Sequence, residues 1–229
     1  MPAGYSIAEG RLVAEPIPIS AQHWWALFNT YLYLGLATGV IVVGFMIYFV
    51  VRYRCKGESF DKKPADLLPE GRTARVVLML LLVTSGILTG LAAESTMLAF
   101  QIEQIPPPSE SLVIQVTAFQ FNFRFGYPTG QQFVGECRVP VGKAIIFNVT
   151  SIDVYHNFGL PDFKLKIDAI PGRYNTLWIV APPLNGATEH RYTIMCYEMC
   201  GMGHTEMVAT LIAMDPAAFN QWLNQTKGR

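Results

Sequence analysis

Two long apolar runs dominate the N-terminal part of the sequence. Residues 27–51 carry no charged side chain, and a second charge-free run begins at Val76. Each run is long enough to cross a hydrocarbon layer of about 30 Å at about 1.5 Å per residue. Trp24 and Trp25 precede the first run, at a position where interfacial aromatic residues are common in membrane proteins. The pattern predicts an irregular N-terminal arm at 1–23 and a transmembrane hairpin at 24–100, with spans at about 27–51 and 76–98.

The charges that flank these runs predict the orientation of the hairpin. The segment 52–75 between the runs holds seven basic residues, whereas the arm before the first run holds only Arg11. Basic residues are enriched in the cytoplasmic loops of membrane proteins. We therefore expect the loop in the cytoplasm and both chain termini on the outer side.

After the apolar runs, the pattern changes to short segments of β type. Pro106, Pro107 and Pro108 predict a stiff, extended linker at 101–111, because proline cannot continue a helix. Short apolar or alternating segments bounded by Pro, Gly, Asn and Asp then predict an all-β sandwich at 112–214. The predicted strands are 112–117, 119–127, 132–139, 143–150, 174–180, 191–196 and 207–214. Asp215 and Pro216 are typical of the cap and first turn of a helix, which we expect in the tail at 215–229.

One predicted strand has a marked aromatic pattern. Phenylalanine or tyrosine occupies every second position from Phe119 to Tyr127. A period of two places these rings on one face of a strand. The simplest interpretation is that most of them belong to the core of the sandwich.

Composition narrows the function classes. The chain is 51% hydrophobic and has no formal net charge, which gives no support to nucleic-acid binding. The sequence contains no phosphate-binding loop, Ser/His/Asp set or paired carboxylates that would favour an enzyme of those types. Of the four cysteines, Cys137 falls in a predicted strand and is expected to be a small buried residue, and Cys55 follows the first span.

The remaining two cysteines belong to a cluster of metal-binding residue types. Cys196, Cys200, His204 and Met207 lie within one short segment. Thiolate, imidazole and thioether together form the soft ligand set that copper prefers. Two thiolates can bridge two copper ions with one imidazole for each, and His156 is the best candidate for the second imidazole. A Cys₂His₂ zinc site and a buried loop without metal are the alternatives.

The segment Cys-x-Glu-x-Cys-Gly-x-x-His-x-x-Met at 196–207 resembles the dinuclear copper motif of subunit II of haem-copper oxygen reductases. Two other segments resemble the same family in the same order. One is Ser151-x-Asp-Val-x-His-x-Phe158, and the other is Asp168-Ala-Ile-Pro-Gly-Arg173. The resemblance extends from about Trp24 to Met214. It implies a cupredoxin-like Greek-key β-sandwich anchored by the two-helix hairpin.

The resemblance also implies a role for each residue of the motif. Cys196 and Cys200 would bridge the two copper ions, and His156 and His204 would be the terminal ligands. Met207 and the backbone carbonyl of Glu198 would be weak axial ligands. The Glu198 side chain would reach a magnesium or manganese ion at the boundary with subunit I. From its position near His156, Asp153 is expected to support that ligand by a hydrogen bond.

Two positions depart from the family pattern. The family usually has Gln-Trp-x-Trp on an early strand, where one tryptophan accepts electrons from the donor. This sequence has Gln120-Phe-Asn-Phe123, so Phe121 is the candidate for that position. Tyr197 stands where a small serine is common.

The function implied by the resemblance is electron transfer. A sulfur-rich, closed set of ligands leaves no open position for a substrate, which suits a carrier better than a catalyst. The chain would accept electrons from cytochrome c or a small blue-copper protein and pass them to haem in subunit I, among further membrane subunits. Dioxygen would be reduced to water there, with proton pumping. The expected location is the plasma membrane of a prokaryote, or the inner membrane if there are two. The alternatives are a nitric oxide reductase subunit and a membrane-anchored copper-delivery or sensor protein.

Overall fold

The computed structural model describes the backbone of residues 5–8, 11–14, 19–54 and 70–227. Side chains are described for 20–54, 74–101 and 103–227. The chain divides into two compact units. The first unit combines Met1–Trp24 with Gln104–Arg229, and the second is Trp25–Glu103.

Two long helices contain the predicted spans. Helix α1 covers Ile19–Tyr53 and helix α2 covers Glu70–Glu103. By length and composition both can cross a membrane, and their apolar windows have no buried residues within the structure. The side chain of Tyr31 joins the two helices, since its hydroxyl lies 2.8 Å from Ser95 Oγ and donates to the Leu91 carbonyl at 3.3 Å.

The arm before α1 is more ordered than the sequence suggested. Strands β1 (Tyr5–Ala8) and β2 (Arg11–Ala14) form a two-stranded antiparallel sheet within the region expected to be irregular. Both segments contain aromatic or branched apolar residues, which favour strands. Helix α1 begins inside the predicted arm, and the Ser20 hydroxyl donates to the Phe163 carbonyl at 2.7 Å.

The extended linker expected at 101–111 is shorter in the structure. Helix α2 continues to Glu103, because residues 101–103 precede the prolines and can still adopt helical geometry. Pro108–Glu110 forms a 3₁₀ turn, and proline at the first position of a turn loses no hydrogen bond.

Ten strands and a terminal helix follow helix α2 and belong to the first unit. They are β3 (Leu112–Phe119), β4 (Asn122–Gly126), β5 (Gln132–Val134), β6 (Glu136–Pro140), β7 (Ala144–Ser151), β8 (His156–Leu160), β9 (Leu165–Ala169), β10 (Asn175–Val180), β11 (Glu189–Cys196), β12 (Val208–Met214) and helix α3 (Pro216–Gln225). One sheet has the order β10-β7-β3-β4-β5, and the other has the order β6-β12-β11-β8-β9. The two five-stranded sheets form the predicted sandwich.

The core lies between the two sheets and is rich in aromatic rings. Phe158 makes ring contacts with Phe123, Phe125 and Phe147 at centroid separations of 5.5, 6.3 and 5.3 Å. All four rings are fully buried. Since Phe158 belongs to β8 and the other three belong to the opposite sheet, these contacts fix β8 against that sheet.

The single strand predicted at 119–127 is wrong. Strand β3 ends at Phe119, the chain turns at Gln120–Phe121, and β4 begins at Asn122, which pairs with Phe119. The aromatic residues keep their period of two through the turn, so the sequence pattern gives no sign of the turn. The peptide bond between Gln120 and Phe121 is cis.

The other strand predictions differ at three places. The strand predicted at 132–139 breaks at Gly135, whose φ of +77° suits glycine, and the chain there passes from one sheet to the other. Strands β8 and β9 were not predicted. Every residue of β8 is buried, so the alternation that identifies a half-exposed strand is missing.

Helix α3 closes one end of the sandwich. Asp215 caps it, since its carboxylate accepts the backbone N–H groups of Ala217 and Ala218. Trp222 packs on Tyr127 and Phe133, with ring centroids 5.4 and 5.0 Å apart.

Candidate metal centre

The sequence cluster lies at one end of the second sheet. Cys196 is the last residue of β11, and its backbone N–H donates to the Met207 carbonyl at 3.1 Å, just before β12 begins. Residues 197–206 therefore form a loop that leaves and rejoins the same hairpin. His156 is the first residue of β8, which pairs with β11 through Cys196 and Phe158. The strand pairing thus brings His156 next to the cysteine loop.

Three buried side chains form the centre of the cluster. The sulfur atoms of Cys196 and Cys200 are 4.0 Å apart, and His156 Nδ1 is 3.9 Å from the Cys196 sulfur. The ligand atoms of these three residues all lie within 4.8 Å of one another, and the group could hold a metal ion. His156 is fully buried, and both cysteines are nearly so.

The other predicted donors surround this group. His204 Nδ1 is 3.6 Å from the Cys200 sulfur, and Met207 Sδ is 3.8 Å from it. On the other side, the Cys196 sulfur is 3.3 Å from the Glu198 carbonyl oxygen. One imidazole therefore lies beside each cysteine. Glu198 as a residue is exposed, while its carbonyl oxygen contacts the buried Cys196.

Asp153 contacts His156 as the sequence suggested. Its Oδ1 lies 2.8 Å from His156 Nε2, which leaves Nδ1 directed at the cysteines. Burial raises the pKa of this carboxyl group, but hydrogen bonds from the backbone of Gln120, from His156 and from Val154 outweigh burial and lower the pKa to about 2. The carboxylate therefore stays charged and fixes the orientation of the imidazole.

The Cys200 thiol lies in surroundings that disfavour an uncompensated negative charge. Burial, and next the neighbouring Cys196, raise the pKa of Cys200 to about 11. Two adjacent sulfur atoms with little access to water can both ionise only if a cation compensates them. The donor set therefore fits a metal ion, and its two sulfur ligands, two imidazoles, thioether and carbonyl favour a soft one.

A second network lies beside the centre. The Asn157 amide donates to Asp168 Oδ1 at 2.8 Å, and the Asn175 amide donates to the Asp168 carbonyl at 2.7 Å. The hydrogen bond from Asn157, followed by one from Tyr155, lowers the pKa of Asp168. This network ties β9 to β8 next to His156 and gives Asp168 a supporting role.

The structure adds a contact that sequence reasoning missed. Gln120 donates its backbone N–H to Asp153 Oδ2 at 2.7 Å and its side-chain amide to the Cys200 carbonyl at 2.6 Å. In the sequence analysis Gln120 only begins the segment that stands where the family has Gln-Trp-x-Trp, and it has no role of its own. Its partners lie 33 and 80 residues away, so no local pattern could identify them.

Phe121, the candidate for accepting electrons, lies against the cysteine loop. A Cβ atom on Gly203 would lie 2.5 Å from the ring of Phe121, and one on Gly201 would lie 3.1 Å from it. The ring therefore occupies the space that two larger residues would need. Met202, between these glycines, is fully exposed.

Tyr197 also has a specific packing partner. A Cβ atom on Gly159 would lie 2.2 Å from Cδ2 of the tyrosine ring, so the ring rests directly on this glycine. The ring also lines a cavity of about 270 Å³ together with Trp24, Pro161, Lys164, Leu165 and Lys166.

Comparisons with known proteins agree on one family. The family described as cytochrome c oxidase subunit II, periplasmic domain, matches residues 132–214. The haem-copper oxidase subunit 2 of Aeropyrum pernix is 36% identical over 217 residues, which cover 90% of each chain. The cytochrome c oxidase subunit 2 of Thermostichus vulcanus is 34% identical over 116 residues, 51% of this chain and 34% of that protein. The crystal structure of the periplasmic domain of subunit II of cytochrome oxidase of Bradyrhizobium japonicum aligns at 31% identity and a TM-score of 0.49, covering 54% of this chain and 97% of that one.

Proposed function

Since this chain belongs to the family of subunit II of haem-copper oxidases, we propose that it is the subunit through which electrons enter a terminal oxidase. The observation that carries the proposal is the buried Cys196–Cys200 pair with one histidine beside each sulfur. In this proposal two copper ions would be held by Cys196 and Cys200, with one histidine, His156 or His204, beside each cysteine. Met207 and the Glu198 carbonyl complete the set. When bound, such a copper pair supplies a one-electron carrier.

The closed arrangement of the donors favours a carrier over a catalytic metal site. Cys196, Cys200, Met207 and His156 are buried and His204 is partly buried, so little of the donor set is open to a substrate. Catalytic metal sites keep an open position for water or substrate. The same burial argues against a copper-delivery protein, which has to release its metal to a partner.

The ligand set favours copper over zinc. Zinc in structural sites takes four nitrogen, sulfur or carboxylate ligands in a tetrahedral arrangement. Here a fully buried thioether, Met207 Sδ, lies 3.8 Å from the Cys200 sulfur and adds a fifth soft donor. Methionine is not among the usual ligands of structural zinc sites, whereas a weak methionine ligand is typical of copper electron-transfer sites.

The proposed role of each residue is supported by its position. Asp153 holds His156 in one tautomer and one orientation, and the β8–β11 pairing holds that histidine beside Cys196. Fixed ligands reduce the rearrangement that accompanies each electron transfer. Phe121 is the proposed contact for the electron donor, and the exposed Glu198 side chain is the proposed ligand for magnesium or manganese at the boundary with subunit I.

The remaining parts of the proposal concern the assembly. Electrons pass to haem in subunit I, where dioxygen is reduced to water with proton pumping, and further membrane subunits complete the complex. The relatives that match this chain are named as oxidases, which favours oxygen over nitric oxide as the terminal substrate. The chain would cross the plasma membrane of a prokaryote twice, with both termini and the copper domain outside.

The charge of the outer domain bears on the electron donor. Residues 101–229 carry nine Lys and Arg against ten Asp and Glu. A nearly neutral domain gives little long-range attraction to a strongly basic cytochrome. We therefore propose a neutral or acidic donor, either a cytochrome c of that charge or a small blue-copper protein. A reduction rate that changes little with ionic strength would support this, whereas a steep loss of rate with salt would contradict it.

The central experiment is electron paramagnetic resonance of the full chain, purified in detergent and loaded with copper. We expect two coppers per chain and a signal split by two equivalent copper nuclei. Cys196→Ser and Cys200→Ser should each abolish that signal, whereas Cys137→Ser, the same change at a buried cysteine in β6, should keep it. A single-nucleus signal, or retention of zinc in place of copper, would refute the dinuclear proposal.

A further inference from the structure

We propose that Gln120 is a positioning residue that ties the two halves of the metal centre to each other. This inference rests on the proposed function, because it concerns how the chain holds the copper ligands. Gln120 lies in the turn between β3 and β4, which belong to the sheet that provides none of the predicted ligands. It nevertheless contacts both ligand-bearing segments of the other sheet.

The first contact reaches the half of the site that contains His156. The backbone N–H of Gln120 donates to Asp153 Oδ2 at 2.7 Å. The other oxygen of the same carboxylate lies 2.8 Å from His156 Nε2. The turn therefore holds the carboxylate that orients the first imidazole, and it does so through a backbone group that is present whatever the side chain.

The second contact reaches the half of the site that contains Cys200. The side-chain amide of Gln120 donates to the Cys200 carbonyl at 2.6 Å. Gly201 follows, with a φ of +136°, and a Cβ atom there would lie 2.9 Å from the Gln120 amide nitrogen. Glycine at this position allows the amide to approach the backbone closely.

The strand pairing alone does not provide this connection. The register between β8 and β11 consists of two pairs, Met195 with Gly159 and Cys196 with Phe158. Beyond Cys196 the chain leaves the sheet, and Cys200 lies in the middle of the loop at 197–206. The amide of Gln120 is thus a direct link between the position of Cys200 and that of Asp153 and His156.

The two contacts can be separated by mutation. Gln120→Met keeps the length of the side chain and the backbone N–H to Asp153 but removes the amide that binds Cys200. We expect copper to be lost to a chelator about tenfold faster, the factor that corresponds to one hydrogen bond to a buried group. We also expect the two copper nuclei to become inequivalent in the paramagnetic resonance signal and the reduction potential to shift, because only the Cys200 half is released.

The matched control is Gln115→Met, which makes the same change at an exposed position of β3. All variants are measured as full chains in detergent, with and without copper. Gln120→Asn, whose amide is too short to reach Cys200, serves as the second variant if Gln120→Met does not fold, and it should show the same faster loss and altered signal.

The outcomes separate this inference from the proposed function. A wild-type chain that retains no copper would overturn the proposed function and the inference together. A wild-type chain with a two-copper signal, and Gln120 variants that match the Gln115→Met control, would overturn the inference alone. Variants that melt at a lower temperature without copper but keep the wild-type signal and release rate would show a merely structural role and also overturn it.

Discussion

A single methyl group added at Gly159 should test the packing of Tyr197 beside the ligands. In Gly159→Ala, the new Cβ atom would lie 2.2 Å from Cδ2 and 2.4 Å from Cε2 of the tyrosine ring. Carbon atoms in contact are separated by about 3.5–4.0 Å, so the ring has to move by more than about 1 Å. The backbone of Gly159 is not in the left-handed region, so the effect of alanine is steric.

The size of the effect follows from the exposure of the ring. Forcing an extra group into a packed site typically costs about 1–3 kcal/mol. The Tyr197 residue is 46% exposed, so its ring can swing toward solvent, and we expect about 1–2 kcal/mol. Because Tyr197 lies between Cys196 and Glu198, the same movement should also accelerate the loss of copper.

A double-mutant cycle isolates this contact. Urea unfolding of the full chain in detergent, followed by near-ultraviolet circular dichroism, gives the free energy of unfolding of the sandwich. Gly159→Ala should cost much less in a Tyr197→Ser background, because the ring is absent. Gly126→Ala is the control, since a Cβ atom there would lie at an ordinary 3.5 Å from its nearest neighbour. If the two changes are additive within about 0.5 kcal/mol, the Tyr197 contact does not explain the cost.

Three further predictions concern separate parts of the first unit. The lowered pKa of Asp153 stabilises the folded metal-free chain fully above about pH 4, and this contribution is lost as the pH falls toward 2. In urea unfolding measured across acid pH, Asp153→Asn should therefore lose less stability on acidification than the wild type. An unchanged pH profile would contradict this. Asp215→Ala should lower the free energy of unfolding by about 1 kcal/mol through loss of the helix cap, whereas Asp215→Asn, which can still cap, should cost less. Burial raises the pKa of Cys137 to about 12, so this thiol should react with an alkylating reagent at about pH 8 only after the chain is unfolded. Peptide mapping would check this. Alkylation of Cys137 in the folded chain would contradict it, because it would show that the thiol is accessible.

The ligand cluster was predictable because it is largely local. Four of its side-chain donors lie within residues 196–207, and a soft ligand set is recognisable by residue type alone. His156 lies outside this segment, and it was predicted as a ligand because two thiolates bridging two copper ions need a second imidazole. The positions of these side chains relative to one another were not predictable, because they depend on the pairing of β8 with β11.

The failures of the sequence interpretation have physical causes. A continuous alternation of aromatic residues concealed the turn at Gln120 and Phe121, since a hairpin can preserve the period of two through its turn. Strand β8 is buried on both faces and lacks alternation. The contact from Gln120 to Cys200 spans 80 residues and depends on the packing of one sheet against the other.

The loop at 197–206, which contains two of the proposed ligands, is closed by the hydrogen bond between the Cys196 N–H and the Met207 carbonyl. Residues 197–206 can therefore change in sequence or length without shifting the register of β11 against β12. The β11–β12 hairpin is thus a fixed support, and the loop that it carries can vary during evolution without disturbing the sheet. Changes in the loop are limited by the proposed ligands Cys200 and His204 and by the surface that the loop contacts. On that surface the Phe121 ring leaves no space for a Cβ atom at position 203, and Gly159 leaves space for the ring of Tyr197. Drift in this family should therefore proceed by paired changes across that contact surface.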